Sequence, residues 1–155
     1  MTGYFPLFIN MNHKNIRVFG GGKIAARRVK VLLEFGAELD VIAPEFTAEI
    51  EELAAHHPGL KLHYRKYRPS ELTEEDFVLA VTNDEKANAL IFRECRHKGI
   101  PVNVASDQEK CDFYFPGIVR QGEVTVGVTT GGSNHRKAAE VTERIRRQLL
   151  EWEGA

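Results

Sequence analysis

The stretch "RVFGGGKIAARRVKVLLEFGAELDVIAPEF" (Arg17 to Phe46) decides the fold. Three consecutive glycines, Gly20, Gly21 and Gly22, stand between an apolar run and a segment of helical period, and a second apolar run follows. Glycine loses more conformational entropy on folding than any other residue and packs no side chain. Three in a row therefore need a reason in the backbone. Between the apolar runs, Ile24, Arg28, Val31, Leu32 and Phe35 recur at helical spacing, and Gly36 suits the C′ position that closes such a helix. Strand, glycine turn, helix and strand make a βαβ unit.

The same rhythm continues outward. Short runs rich in β-branched residues predict strands near Ile16–Phe19, Glu38–Ile42, Leu60–Tyr64, Phe77–Val81 and Pro101–Val104. Ala87, Leu90, Ile91 and Cys95 mark a further helix, closed by Gly99. After about residue 112 the pattern changes, and "FYFPGIVRQGEVTVGVTT" predicts a hairpin turning at Gln121 and Gly122. A last helix opens at Ser133 or Asn134 as N-cap. Its apolar stripe is Ala138, Val141, Ile145, Leu149 and Trp152, with Arg144, Arg146, Arg147 and Glu151 facing elsewhere. The expected fold is α/β: a Rossmann-like, doubly wound, mostly parallel sheet with a C-terminal β-hairpin and a terminal helix.

Composition sets bounds on function. The 155 residues are 43% hydrophobic and 28% charged, as for one globular domain with a sizeable core. The net charge of −1 gives no argument for nucleic acid or an anionic membrane as partner. Cys95 and Cys111 form neither a CxxC nor a disulfide-rich pattern, and no basic segment followed by an apolar one opens the chain. The expected location is the reducing cytoplasm. No apolar run approaches the ~18 residues that would span a bilayer.

Gly20, Gly22 and Ala25 fit G-x-G-x-x-A at a strand end just before a helix, the context that makes this motif a dinucleotide-binding fingerprint. Gly20 suits the tight turn, Gly22 the approach of a pyrophosphate to the backbone, and Ala25 close helix-to-strand packing. Unpaired N–H groups and the positive end of the helix dipole would hold the phosphates. The plain alternative is a glycine-rich turn that binds nothing. A typical NAD fingerprint places an acid at the end of the second strand, whereas Ala43 and Pro44 stand there in this chain. Asp40 lies inside the strand and Glu45 is the substitute within reach, so pattern alone leaves NAD and NADP open. In "AVTNDEKAN" (Ala80 to Asn88), Thr82 and Asn83 follow a strand end and so border the cofactor cleft, while Asp84 suits a helix N-cap.

Taken together, "YFPLFINMNHKNIRVFGGGKIAARRVKVLLEFGAELDVIAPE", "AVTND" and "VNVASDQEKCDFYFPGIVRQGEVTVGVTTGG" resemble the precorrin-2 dehydrogenase/sirohydrochlorin ferrochelatase family, the front module of sirohaem synthases. The likeness runs from Tyr4 to about Gly132, and Phe5-Pro6-Leu7, Cys111-Asp112-Phe113, Pro116 and Gly131-Gly132 make it more specific than the glycine motif. It implies a single NAD-binding Rossmann domain over 1–155, oxidation of precorrin-2 to sirohydrochlorin with NAD⁺, and in some members insertion of Fe²⁺ to give sirohaem. It also implies a homodimer, with a helical C-terminal region that is largely absent here. The cofactor contacts that the resemblance implies fall on Gly22, Lys23, Ile24, Pro44, Glu45 and Thr82, and the glycine turn and the strand end add Gly20, Gly21 and Asn83 as candidates; NAD is the expected cofactor, and since the family commonly reads "AP" at the second strand end, the missing acid does not count against it.

Two departures from the family pattern concern the chemistry. Aligned on Val102–Val104, the family's important aspartate falls on Ser106, with an acid one residue later at Asp107. After "TTGG", where the family shows Ser-Pro and a Leu-Ala-Arg stretch, this chain reads Asn134, His135, Arg136 and Lys137. Ser106, Asp107 and His135 are the candidate catalytic residues. A many-carboxylate macrocycle needs cations and free amides, for which Arg120, Thr130, Gly131, Gly132, Ser133, Arg136 and Lys137 are candidates; a solvated helix start is the alternative for this cluster. His56 and His57 are adjacent and point in different directions on a helix, and no resident metal site is expected.

Overall fold

A computed structural model of the protein describes residues 3–153, so the outermost residues of the expected 1–155 domain lie outside the described span. Five strands, β1 (Asn15–Phe19), β2 (Glu38–Ala43), β3 (Leu60–Tyr64), β4 (Phe77–Ala80) and β5 (Val102–Val104), form one sheet in the order β3-β2-β1-β4-β5. All four pairings are parallel. The chain winds outward from β1 to β3 and then crosses back to β4 on the other side of β1. The switch point, where an open α/β sheet leaves a crevice at its carboxyl edge, thus lies between β1 and β4.

The strands read as near-continuous apolar runs because both faces of the sheet are covered. Val18, Phe19, Val41 and Val78 are fully buried, and Phe19 and Val78 join Ile91 and Cys95 of the helix after β4 in one core cluster. Boundaries differ from the sequence expectation by a residue or so: β1 starts at Asn15, β2 runs on to Ala43, β4 stops at Ala80 and β5 starts at Val102. Pro101 has no N–H to give to a ladder, although its carbonyl accepts from Val78 N–H at 2.9 Å.

Helix α1 (Lys23–Glu34) buries Ala25, Ala26, Arg28, Val29 and Leu32, while Ile24 stays 50% exposed. This corrects the expected stripe: small alanines, rather than Ile24 and Phe35, let the helix start lie against the sheet. Gly36 follows with φ 77. Helix α2 (Ala48–His56) was not anticipated as an element, because Ile50 is its one buried side chain and leaves no readable stripe. In α3 (Glu85–Lys98), Asp84 caps the start and Gly99, with φ 69, the end. Leu90, expected on the buried face, is 43% exposed, and Asn88 is buried in its stead.

Residues 9–113 form one compact unit; the described parts of 1–8 and 114–155 form another. The second holds the antiparallel hairpin β6 (Gly117–Gln121) and β7 (Val124–Val128), with α4 (His135–Glu153) packed on β6. Gln121 pairs with Val124, so the turn is Gly122-Glu123, one residue later than expected. Gly122, with φ 54, takes the left-handed first position that two-residue hairpin turns require. Gly117 admits Thr142 so closely that any Cβ would strike its hydroxyl. Thr142 Oγ1 donates to the Ala138 carbonyl at 2.7 Å, and Arg146 donates to the Ile118 carbonyl at 3.2 Å. Along the expected stripe Ala138, Val141, Ile145 and Leu149 are half-buried, but Trp152 is 80% exposed. The reason is length: 19 helical residues reach ~28 Å, whereas a five-residue strand covers ~17 Å.

Candidate functional site

At the switch point the three glycines have separate jobs. Gly20 turns the chain with φ +126, and a Cβ there would lie 2.5 Å from the Val81 carbonyl oxygen. Its N–H donates to the Ile42 carbonyl at 2.9 Å, and Val81 N–H donates to the Phe19 carbonyl at 2.8 Å, so the carboxyl ends of β1, β2 and β4 are tied together. A Cβ on Gly21 would run into the Glu45 carbonyl oxygen, and Thr47 N–H donates to the Gly21 carbonyl at 3.0 Å. The segment Pro44–Thr47 is thereby latched onto the turn, with Pro44 and Glu45 exposed. This need for glycine at the middle position is invisible to the G-x-G-x-x-A pattern.

Gly22 differs, because nothing lies within 4 Å of where its Cβ would be. No side chain caps α1, and its first backbone bond runs from Ala26 N–H to the Gly22 carbonyl at 2.9 Å. The amides of Lys23, Ile24 and Ala25 have no helix carbonyl to meet. Open space over Gly22 beside unspent donors at a helix start suits a diphosphate, and the dinucleotide fits. Asp40 accepts from or is paired with His63 Nε2 at 2.6 Å, across to β3. Glu45 is thus the nearest acid after Ala43 that is not committed to a neighbouring strand.

Thr82 follows β4 and is fully engaged by its own loop. Asn88, 2% exposed, meets the Thr82 hydroxyl at 2.7 Å and the Thr82 N–H at 3.3 Å through Oδ1, and donates to the Thr82 carbonyl at 3.0 Å. Thr82 Oγ1 in turn accepts from Asp84 N–H at 3.1 Å, while Asp84 accepts from the amides of Lys86 and Ala87. Asn83 is exposed at the tip. The sequence gives Asn88 no role; the one signal available was an amide side chain closing "TNDEKAN" six residues after Thr82.

Ser106 and Asp107 follow β5. Ser106 is exposed, whereas Asp107 caps the short turn Gln108–Lys110 and takes Lys110 Nζ at 2.6 Å. That ammonium, hydrogen-bonded to it, holds the Asp107 carboxyl below the usual aspartate range. Cys111 pins the same loop: its thiol donates toward the Val104 carbonyl at 3.2 Å and accepts from Val104 N–H at 3.3 Å, and burial pushes the thiol pKa up. Asp112 pairs with Arg96 at 2.7 Å and accepts from Val102 N–H at 3.0 Å. The Cys-Asp-Phe segment is therefore a brace for the β5 loop. A carboxyl with a depressed pKa stabilises the fold above the ordinary aspartate range, and this contribution is lost as pH falls through the lower folded value. Asp107→Asn is expected to lower the melting temperature at about pH 6, with the deficit shrinking toward about pH 2; a deficit independent of pH would contradict the pairing.

In the other unit, "TTGGSN" is a compact turn. Thr130 Oγ1 accepts from Asn134 N–H at 3.2 Å, Ser133 Oγ donates to the Thr130 carbonyl at 2.7 Å, and Gly131 and Gly132 take φ 65 and 76. Asn134, rather than Ser133, is the cap, accepting from Lys137 N–H at 2.9 Å. His135, Arg136 and Lys137 are exposed on the first turn of α4, where Arg136 pairs with Glu140 at 3.0 Å. Arg120 stands on β6, opposite Thr125. The structure thus gathers Gly20–Ile24, Pro44, Glu45, Thr82, Asn83, Ser106 and Asp107 on loops at the carboxyl edge of one sheet, and Thr130–Lys137 on one turn. Among the described residues, no group of three or more His, Cys, Asp or Glu is placed to hold a metal ion, and no helix is long and apolar enough to cross a membrane.

Comparison with known proteins bears on the fold and the cofactor class. The family model described as "Putative NAD(P)-binding" matches residues 7–117. The "Probable multifunctional siroheme biosynthesis protein HemA" of Ruminiclostridium josui is 39% identical over 151 residues, covering 95% of this chain and 28% of that protein. The siroheme synthase of Nitrosomonas eutropha is 34% identical over 131 residues, covering 84% and 28%. The chain thus spans under a third of the length of these relatives. The solved structure titled "SirC, precorrin-2 dehydrogenase" superposes with a TM-score of 0.76 at 27% identity, covering 96% of this chain and 70% of that one. The fold is therefore Rossmann-like, the cofactor class is a nicotinamide dinucleotide, and the chain belongs to the family described as putative NAD(P)-binding, with likeness to siroheme synthases and to a precorrin-2 dehydrogenase.

Proposed function

We propose that the protein oxidises precorrin-2 to sirohydrochlorin with NAD⁺, in the cytoplasm and as a homodimer. The observation that carries this reading is the set of unspent amides over open Gly22 at the switch point. The relatives named for siroheme biosynthesis and precorrin-2 dehydrogenation support the substrate. When bound, the nicotinamide ring supplies the hydride acceptor. The chain's own part is to hold and orient: the amides of Lys23 and Ile24 take the diphosphate, while Pro44, Glu45, Thr82 and Asn83 border the dinucleotide. Glu45 favours NAD, because a carboxylate beside the ribose accepts from its hydroxyls and repels a 2′-phosphate. Arg120, Thr130–Ser133, Arg136 and Lys137 take substrate carboxylates, and Ser106, Asp107 and His135 are the groups proposed to handle the departing proton. Protein given precorrin-2 and NAD⁺ should yield NADH and sirohydrochlorin in equal amounts. Absence of turnover at high enzyme concentration would remove the reading.

A second reading is favoured by one observation: Asp107 is committed to Lys110 and to its own turn. A member without a free acid there would bind nucleotide or tetrapyrrole as a carrier or partner, or would act only as a chelatase with Fe²⁺ or Co²⁺ as substrate. Sirohydrochlorin with either metal and no nicotinamide tests the chelatase. Ser106→Asp tests the missing acid: a higher kcat for NADH formation is expected, and an unchanged rate would show that position 106 does not limit oxidation.

A further inference from the structure

Asn88 stands in the first turn of α3, buried on the face that a sheet-covering helix ordinarily fills with apolar side chains. Asparagine is a poor helix former, and a buried amide is tolerated only where it finds hydrogen-bond partners. Here the side chain grips both the N–H and the carbonyl of Thr82, as a neighbouring strand would just after the chain leaves β4. Its own backbone N–H reaches the Asp84 carbonyl at 3.0 Å. One residue thus holds both neighbours of Asn83. The Thr82 hydroxyl has a single hydrogen to give. Asn88 Oδ1 at 2.7 Å is the nearer acceptor for it, the Asp84 carbonyl stands 3.0 Å away, and the Asp84 N–H donates to the same oxygen at 3.1 Å. Protein groups therefore already surround that hydroxyl. Asn83 is the opposite case: it is exposed, and among the described residues none of its polar groups meets a protein partner. The loop also adjoins the glycine turn, since the Val81 carbonyl fills the place of a Gly20 side chain.

We propose that Asn88 is a positioning residue for the dinucleotide: through Thr82 and Asp84 it holds the loop between β4 and α3 so that Asn83, and not the Thr82 hydroxyl, makes the polar contact with the ligand. This rests on the dinucleotide of the reading above and not on its tetrapyrrole. The Asn83 carboxamide both donates and accepts, which suits ribose hydroxyls, groups of the same double character. With the grip in place the loop is ordered before the ligand arrives. Without it, the backbone of Asn83 must be fixed on binding, and the entropy of ordering even one residue weakens binding about tenfold.

The test is calorimetry of the full chain with NAD⁺ and with NADP⁺, well below every melting temperature and beside circular dichroism of the same samples. Asn88→Ala is expected to weaken whichever dinucleotide wild type binds about tenfold. Asn83→Ala should melt as wild type, because Asn83 has no polar partner in the protein, and should still lose about tenfold in affinity. A double-mutant cycle separates positioning from a merely structural role. In the Asn88→Ala protein, Asn83→Ala should cost less than about twofold, since a loop that is not held no longer presents the contact. Thr82→Ser keeps the hydroxyl and should bind like wild type, whereas Thr82→Val should match Asn88→Ala and add nothing to it. The proposal is overturned if Asn88→Ala binds like wild type, if Asn83→Ala costs as much in both backgrounds, or if Thr82→Val weakens binding further in the Asn88→Ala protein. Should Asn88→Ala fail to fold, the single variants decide: wild-type affinity in Asn83→Ala or in Thr82→Val overturns it. Wild type that takes neither dinucleotide removes the proposal together with the cofactor. The expected pattern in a protein that fails to oxidise precorrin-2 would uphold the loop and remove the dehydrogenase. Unaltered affinities in variants of a protein that does oxidise it would do the reverse.

Discussion

Gly22→Ala is expected to fold as wild type and to lose measurable dinucleotide binding, whereas Gly21→Ala is expected to damage the fold. The two positions are neighbours, but their surroundings differ in kind. At Gly22 the backbone has φ −86 and ψ −168, which any residue adopts, and there is nothing within 4 Å of an added methyl. Alanine is a poorer N-cap than glycine, so the stability change stays within about 1 kcal/mol. That methyl would project into the open space which the diphosphate needs, and displacement of the phosphates by about 1 Å breaks hydrogen bonds whose donors are fixed by the helix. At Gly21 the added methyl meets a backbone carbonyl, that of Glu45, so the Pro44–Thr47 latch must move. Overpacking against backbone costs about 3 kcal/mol, and binding falls with the latch. Gly20→Ala belongs with Gly21→Ala, since φ +126 and the Val81 carbonyl both oppose a side chain. Calorimetry with NAD⁺ and thermal melts on the same samples separate the cases. Wild-type affinity in Gly22→Ala would move the diphosphate elsewhere; a wild-type melt for Gly21→Ala would contradict the packing at the latch.

What sequence reading captured here is what short-range chemistry dictates. The alternation of strand and helix, the glycine turn after β1, the helix ends at Gly36 and Gly99 and the Asp84 cap all depend on residues within a few positions of one another. Features that depend on distant partners were not legible. Arg28 looks like one polar residue on a stripe until Asn103, 75 positions away, is brought against it. Asp107 looks like a free acid until the loop turns and Lys110 closes on it. Gly21 counts as an unspecified position in the motif, and only the arrival of the β2–α2 segment shows why no side chain fits. Helix α2 escaped notice for the opposite reason: with Ile50 alone buried, its partners impose almost no pattern on it.

Those distant partnerships make Asn103 the second position where a large effect is expected. Arg28 is 8% exposed one turn into α1, and its Nη1 donates to Asn103 Oδ1 at 2.6 Å. Asn103, itself 3% exposed on β5, passes the connection on by donating to the Phe113 carbonyl at 2.8 Å. Burial lowers the Arg28 pKa to about 10, still far above neutral, so the guanidinium is charged at neutral pH. Asn103→Leu withdraws an acceptor from that charge and a donor from the Phe113 carbonyl. A buried charge with a lost partner costs several kcal/mol; since Arg28 has further contacts, about 3 kcal/mol is expected, a fall of roughly 10 °C in melting temperature for a chain of this size. Arg28→Met removes the charge and leaves an uncharged acceptor wanting a donor, a smaller penalty of about 1–2 kcal/mol. Combining the two should therefore melt above Asn103→Leu alone, because the second change removes the charge that the first one strands. Additive losses in the double variant would mean that Arg28 acts through its alkyl stem rather than its charge, and an unaltered melt for Asn103→Leu would show that the brace between α1 and β5 carries no load.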